Sequence, residues 1–264
     1  MRGDTLERVT HWIFGRVRHR AGRRPCVIAG LALLCALAAR PAWSQDAIDD
    51  LDDLTTAAGA SGQSATGWRG ALTDSFRLLM MEHAGRIAFQ EKTRRELGGP
   101  FFRDYARSVK WPRKWEDGDA WGVNYVGHPI HGAAASRIWL DHTDHDPRFD
   151  NTAAYWASRG IAAAWAAGYS MQFEFGPLSE ASIGNVGLDP ATTGWVDHVI
   201  TPAGAFAFTV GEDVLDRYFI TLVERHTRNR FYRAVIRVIF NPSRSLANVT
   251  EGRSPWFRPD RPLR

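Results

Sequence analysis

Five polar side chains that can carry protons or bind ligands stand in stretches that are otherwise apolar or rich in small residues. They are His128, Glu174, Glu180, Asp197 and Glu212. Charged groups are rarely buried without partners, so these side chains are expected to meet if the stretches around them pack together. Such a convergence builds acid–base or metal sites, and it also builds structural networks in helical proteins. Both interpretations stay open, and residue types and spacing alone slightly favour the structural network.

The histidine lies in the segment GVNYVGHPIHGAAAS, which carries no charge apart from its two histidines. Read as a helix, this segment places Asn124, His128 and Gly132 on one face, because residues four apart stack. Its glycines and alanines allow other helices to approach closely. We therefore predict a central helix from Ala120 to about Leu140, kinked or broken at Pro129.

The acidic residues are also predicted to lie on or between helices. Apolar residues recur at helical spacing over 68–97, 153–175 and 193–226. Asn151 or Thr152 is predicted to cap the second of these helices, and the third is predicted to break or bend at Pro202. Asp197, Thr201 and Gly204 share one helical face, as their spacing of four and seven residues requires. No stretch has the alternation of a strand. We predict an all-α protein, a single helical bundle with close packing of small residues.

The N-terminal segment has the composition of an export signal. Residues 1–44 contain a basic region ending at Arg24, an apolar run and the small-residue site Ala42-Trp43-Ser44. The eight arginines and two acids of this segment give it a charge of +6, so the rest of the chain carries −2 of the total of +4. We therefore predict no nucleic-acid partner, and we place the protein in the periplasm or at the envelope.

The rest of the chain divides into a linker and a domain. Residues 45–67 are acidic and then small and polar, which predicts a disordered linker, and 68–264 are predicted to form the helical domain. Both cysteines lie in the signal, so the mature chain has no thiol for a disulfide or a metal. The loop sequence DHTDHD contains a His-x-x-His pair, but polar loops of this kind are usually solvated, and no metal or other cofactor is predicted.

Several of the polar residues belong to an ordered set of motifs. The set is Asn124-x-x-x-His128-Pro129-x-x-Gly132, Phe173-Glu174 with Glu180, Asp197-x-x-x-Thr201-x-x-Gly204, Gly211-Glu212 with Arg217, and Asn241-Pro242. In this order, residues from about 115 to 257 resemble an uncharacterised bacterial family of envelope proteins known only as a domain of unknown function. More distantly the chain resembles VanZ-like helical membrane proteins, which usually have Asn where Thr201 stands. The resemblance implies a helical core with the polar cluster inside, and no particular reaction.

Two functions of different classes follow from these observations. An enzyme would carry out hydrolysis or transfer at a lipid or cell-wall precursor, with His128 as general base because imidazole titrates near neutral pH. The carboxylates of Glu174, Glu180 and Asp197 would orient the His128 imidazole. The further site residues would be Asn124, Thr201, Glu212 and Arg217. Alternatively, the protein is a non-catalytic envelope scaffold or lipid-binding module in which the same cluster is structural.

A basic amphipathic helix near the C-terminus predicts contact with a membrane surface or lipid. Arg230, Arg233 and Arg237 alternate there with apolar residues, a pattern found in helices that lie at membrane interfaces. The uncharged stretches that follow the signal are shorter than the roughly 20 residues of a membrane span.

Overall fold

The computed structural model of the protein describes residues 67–97, 102, 105–106, 114–117, 119–143, 148–180, 182–183 and 194–263. All of them belong to one of the two units into which the chain divides, Leu37–Arg264. The predicted signal and all but the last residue of the predicted linker lie outside the described residues.

The described residues confirm the predicted all-α class. In chain order the elements are α1 (Trp68–Phe89), α2 (Glu91–Glu96), the π-helical turn π1 (Val123–Gly127), α3 (His128–His142), α4 (Ala153–Phe175), α5 (Val196–Val214), π2 (Leu215–Ile220), α6 (Thr221–His226), α7 (Arg230–Phe240) and α8 (Pro242–Thr250). An isolated bridge between Lys114 and Gly194 is the one β pairing that this part of the chain shows.

Helix boundaries follow local signals, with two departures from the sequence prediction. The Thr152 hydroxyl accepts a hydrogen bond of 3.2 Å from the backbone N–H of Tyr155 and so caps α4. The helix predicted over 68–97 is interrupted at Gln90, whose extended backbone ends α1. The predicted break at Pro202 is absent, because α5 continues through this residue and is followed directly by π2 and α6.

The predicted central helix consists of π1 followed by α3. The His128 N–H bonds to the carbonyl of Val123, five residues back, which is the spacing of a π-helix. Pro129 comes next, and in a regular α-helix its ring would press on the carbonyl four residues back. The π-helical turn π1, which is wider than an α-helical turn, lies directly before Pro129 and takes the place of the predicted kink or break. Single π turns of this kind are frequent at functional sites.

Helix α3 packs against α1, α4, α5 and α8, and its contact with α5 is unusually close. A Cβ atom added to Gly132 would lie 2.9 Å from Cγ2 of Thr201 and 3.0 Å from Cβ of Ala205. In the opposite direction, a Cβ on Gly204 would lie 2.6 Å from Cβ of Pro129. The two motifs that contain Pro129, Gly132, Thr201 and Gly204 therefore interlock, and the predicted small-residue packing is confirmed.

Apolar side chains from α1, α3 and α4 fill the space beside this contact. Leu78, Ile138 and Phe173 are buried in one cluster, and the rings of Trp139 and Trp165 stack against it with centroids 4.7 Å apart. Within the described ranges, no helix combines the length and the apolar character that a membrane crossing requires.

The close contact predicts opposite effects of the same substitution at two helical glycines. Gly132→Ala should destabilise the fold by roughly 1–3 kcal/mol, because the added methyl overpacks the α3–α5 contact. Gly168→Ala is the matched control, since a Cβ there meets nothing within 4 Å and alanine favours a helix by roughly 0.5–1 kcal/mol. Denaturant unfolding measures both, and equal stability of the two variants would contradict the packing described.

Candidate acid–base site

Three of the predicted site residues meet where the ends of α3, α4 and α5 come together. His128 begins α3, Glu174 lies in the last turn of α4, and Asp197 lies in the first turn of α5. One ligand atom from each lies within 4.8 Å of the other two, and His128 Nε2 stands 3.9 Å from Asp197 Oδ1. The three residues are only 7%, 7% and 5% exposed. We call these three residues the triad.

A third carboxylate, which the sequence analysis missed, joins the triad through Asp197. The Asp117 and Asp197 side chains share a hydrogen bond, and Asn124 Nδ2 donates to Asp117 Oδ1 at 2.8 Å. The Asp117 segment is held against the start of α5, because the Trp195 N–H donates to the Lys114 carbonyl at 2.9 Å. Asp117 lies in a turn rich in Pro, Gly and Asp, and no periodic pattern marks it as buried.

An ion pair between Arg86 and Glu180 lies next to the triad. Arg86 Nε lies 2.8 Å from Glu180 Oε1, and its guanidinium lies over the Phe173 ring. Glu180 is brought close to Glu174 by a 2.8 Å hydrogen bond from its own N–H to the Phe173 carbonyl. The predicted Glu180 therefore belongs to the site, and Arg86 is the partner that the sequence did not indicate.

Next to this ion pair, Glu82 of α1 adds a further carboxyl group. The Tyr169 hydroxyl donates to Glu82 Oε2 at 2.7 Å, and His131 Nδ1 lies 3.3 Å from Glu82 Oε1. Among the residues that the structure describes here, the carboxyl groups thus outnumber the arginines. The five carboxyl groups are Glu82, Asp117, Glu174, Glu180 and Asp197.

The burial of the triad favours its uncharged forms. Desolvation lowers the pKa of His128 to about 4. Desolvation and the hydrogen-bonded Asp117 raise the pKa of Asp197 to about 9, so the two carboxyl groups hold one proton between them at neutral pH. Desolvation, reinforced by Glu180 and Asp197, raises the pKa of Glu174 well above its ordinary range. The triad therefore combines a neutral imidazole, which accepts protons, with protonated acids, which donate them.

Several buried polar atoms of this site have no hydrogen-bond partner. They are Glu174 Oε1, Asp197 Oδ1, Asn124 Oδ1 and Thr201 Oγ1. Buried polar groups are nearly always hydrogen-bonded, and leaving one unpaired costs roughly 1–3 kcal/mol. These four atoms therefore leave hydrogen-bonding capacity unused within the site.

The predicted site residue Glu212 lies elsewhere, in a network whose acids are well paired. It accepts hydrogen bonds from the Ser243 N–H at 2.9 Å, the Ser243 hydroxyl at 2.6 Å and the Arg244 N–H at 3.3 Å. These are groups at the N-terminus of α8, where a negative charge is favourable. Glu212 therefore fixes α8 and stands apart from the triad.

Its neighbour Asp213 is enclosed by cationic side chains. Arg137 Nη1 donates to Asp213 Oδ1 at 2.5 Å, Arg159 Nη2 donates to Oδ2 at 2.7 Å, and the Tyr155 hydroxyl donates to Oδ2 at 2.9 Å. Asp213 itself is fully buried. Both oxygens of Asp213 are therefore paired, as expected in a structural network, although Arg137 Nε has no hydrogen-bond partner.

Arg217, also predicted for the site, is exposed at the far end of the bundle. It donates to the Phe149 carbonyl and lines a cleft of about 940 Å³ together with Tyr218 and Arg225. Of the four further predicted residues, Asn124 and Thr201 thus lie beside the triad, and Glu212 and Arg217 do not.

Of the three arginines of α7 that were predicted to face a membrane surface or lipid, one is enclosed by the protein. Arg237 is fully buried, with its Nε 2.5 Å from Glu224 Oε1, and Arg233 Nη2 lies 3.9 Å from Glu224 Oε2. Arg237 therefore faces the interior. The exposed side of α7 carries Tyr232 and Ile239 instead.

The histidine of the polar loop belongs to a separate acid–histidine group. His142 Nε2 lies 2.7 Å from Asp74 Oδ2, and Glu251 completes the group. Here each acid also has an arginine, because Arg77 pairs with Asp74 at 2.6 Å and Arg253 with Glu251 at 2.6 Å.

The titration of Glu251 predicts a pH-dependent stability. Burial and Asp141 raise its pKa to about 8, against about 4.5 in the unfolded chain, so the native state loses stability as the pH rises from 4.5 to 8. Glu251→Gln should match wild type near pH 5 and be more stable by up to a few kcal/mol near pH 8. Urea unfolding at both pH values checks this. The exposed Glu116→Gln is the control and should show no such difference.

The contrast between the two buried clusters gives a further prediction. Asp213→Asn should destabilise the protein by roughly 3–5 kcal/mol, because it leaves Arg137 and Arg159 without their charged partner. Glu174→Gln should change the stability by less than about 1 kcal/mol, since no ion pair is lost. Calorimetric unfolding compares the two, and equally large losses would mean that both clusters are structural.

No protein-family model, curated protein or solved structure matches this chain. The resemblance to the envelope family and to VanZ-like proteins therefore stays a prediction.

Proposed function

We propose that the protein is an envelope enzyme that hydrolyses, or transfers a group from, a lipid or cell-wall precursor at the triad. The observation that carries the proposal is the set of unpartnered buried atoms around His128. The Asp213 cluster, in the same bundle, shows that this chain pairs its structural charges. Groups that are kept buried and unpaired are typical of sites that use them, because function is maintained at the expense of stability.

The protonation states suit acid–base chemistry. A neutral His128 can take a proton from an attacking hydroxyl or water, and a protonated Glu174 or Asp197 can give one to the leaving group. Arg86, already paired with Glu180, supplies a positive charge next to the reacting groups. The unpartnered Asn124 and Thr201 oxygens offer hydrogen bonds that a substrate would complete.

The surroundings of the triad favour a substrate with an apolar part. Large apolar side chains are exposed on the elements that hold the triad, namely Trp121 at 70%, Met171 at 60% and Val199 at 46%. Trp121 lies just before π1, Met171 is one turn before Glu174, and Val199 is two residues after Asp197. An acyl or polyprenyl chain is a ligand that such side chains would contact.

Conservative substitutions test the proposal. His128→Gln and Glu174→Gln should each fold, lose less than about 1 kcal/mol of stability, and fail to restore a strain from which the gene has been deleted. Lipid and cell-wall composition is measured by mass spectrometry, and the substrate should accumulate in the same way with either variant. His226→Gln and Glu116→Gln, at exposed positions, are the matched controls and should restore the strain fully.

Two results would contradict the proposal. Full restoration by a folded His128→Gln protein would show that the imidazole is dispensable. Unfolding of both triad variants would favour the alternative, a scaffold or lipid-binding module with a structural cluster.

A further inference from the structure

We propose that the triad of His128, Glu174 and Asp197 binds a divalent transition-metal cation, with Zn²⁺ as the ion that best suits the ligands. Zinc is commonly held by imidazole nitrogen together with carboxylate oxygen, whereas Ca²⁺ and Mg²⁺ prefer oxygen alone. The three ligands come from three different helices, so the ion would join α3, α4 and α5 at one point.

The separations in the triad suit such an ion. Ligand atoms of a tetrahedral zinc site stand about 3.4 Å apart, since each lies about 2.1 Å from the metal. The three ligand atoms here lie within 4.8 Å of one another, and the pair from His128 and Asp197 is 3.9 Å apart. Side-chain movements of ~1 Å or less would bring them to bonding distance.

The unpartnered atoms point to a ligand between these side chains. Glu174 Oε1 and Asp197 Oδ1 are both buried and both lack a hydrogen bond, in residues that are more than nine-tenths buried. A divalent cation bound between the side chains would satisfy both oxygens. It would bind the deprotonated carboxylates and release their protons, because metal ligands must be deprotonated.

A second layer of residues orients the ligands. Asp117 is hydrogen-bonded to Asp197, and Asn124 holds Asp117 at 2.8 Å. Outer partners of this kind fix the direction of metal ligands and strengthen binding. This role explains the position of Asn124 one turn before His128, because Asn124 there reaches Asp117 and does not itself have to bind the ion.

The other acid–histidine group shows what the triad lacks. Asp74 and Glu251 are each paired with an arginine, and the imidazole nitrogen of His142 lies 2.7 Å from an Asp74 oxygen. The two Glu251 oxygens also lack a hydrogen bond of good geometry, so this group differs from the triad in its arginine pairing and not in its unpartnered oxygens. This group is the internal control for the assignment.

The inference deepens the proposed function without depending on it. Three protein ligands leave one position for water, as in catalytic zinc sites. With His128 as a ligand, the metal would replace the imidazole as the group that activates the attacking water. The use of that water in catalysis depends on the proposed function, whereas binding of the ion does not.

Metal titration of the purified, untagged full-length protein tests the inference. After chelation and dialysis, Zn²⁺ should bind with one ion per chain in calorimetry, and Co²⁺ should give the visible absorption bands of a low-coordinate site. His128→Gln, Glu174→Gln and Asp197→Asn should each weaken binding at least about 100-fold. Asp74→Asn, in the other group, should leave it unchanged. Zn²⁺ should also raise the unfolding temperature of wild type, because it binds the native state alone.

The outcomes separate the metal from the proposed function. If wild type shows no saturable one-to-one binding in excess metal, or if binding survives in all three triad variants, the metal site is wrong. Loss of binding in the triad variants together with full restoration of the deletion strain would uphold the metal site and refute the enzyme. If wild type binds no metal and the folded triad variants fail to restore the strain, the enzyme is upheld and the metal site is refuted.

Discussion

The close contact between α3 and α5 is the constraint on which the rest of the structure depends. Gly132 lies against Thr201 and Gly204 lies against Pro129, with no space for a Cβ at either glycine. The two helices approach closely near their N-termini. This approach brings His128 and Asp197 together without intervening side chains, because both residues lie only one turn from these contacts. A wider separation would admit larger side chains at this level and would separate the imidazole from the carboxylate. The small residues of the motifs thus set the distance at which the polar residues meet.

The bundle contains two buried polar clusters with different energetics. Asp213 is surrounded by arginines, and Glu212 receives the free N–H groups of α8, so their desolvation is offset by ion pairs and hydrogen bonds. Around His128 the acids lack such compensation and stay protonated or unpartnered. Both clusters form in one fold, so the chain does contain arginines that can pair with buried acids. A general lack of such arginines therefore does not explain why the acids around His128 are less well paired. This contrast supports the proposal that the triad, and not the Asp213 cluster, is used for chemistry.

Periodicity and end signals were sufficient to predict the helical class, the small-residue packing and an N-cap at Asn151 or Thr152, because each depends on residues close in sequence. The meeting of His128, Glu174 and Asp197 followed from the rule that buried charges converge. That rule does not say which charges share a cluster. It grouped Glu212 with the triad, whereas this side chain binds the N-terminus of α8, whose position the sequence does not reveal. Asp117 was missed because it lies in an irregular segment. Arg86 was missed because its helix gave no indication of which neighbour it packs against. The π turn before Pro129 is likewise invisible to a pattern with a period of 3.6 residues.

The pairing of the acids in π2 and α6 has a consequence for the order in which the fold can be completed. Asp216 is held by Arg258 and Arg261, and Glu224 by Arg237 and Arg261, residues that follow them in the chain. During synthesis from the N-terminus, α5, π2 and α6 emerge with these carboxylates before the arginines exist. Burying them at that stage would leave most of their charge uncompensated, so we expect the packing around the end of α5 to be completed only after residue 261 has been made.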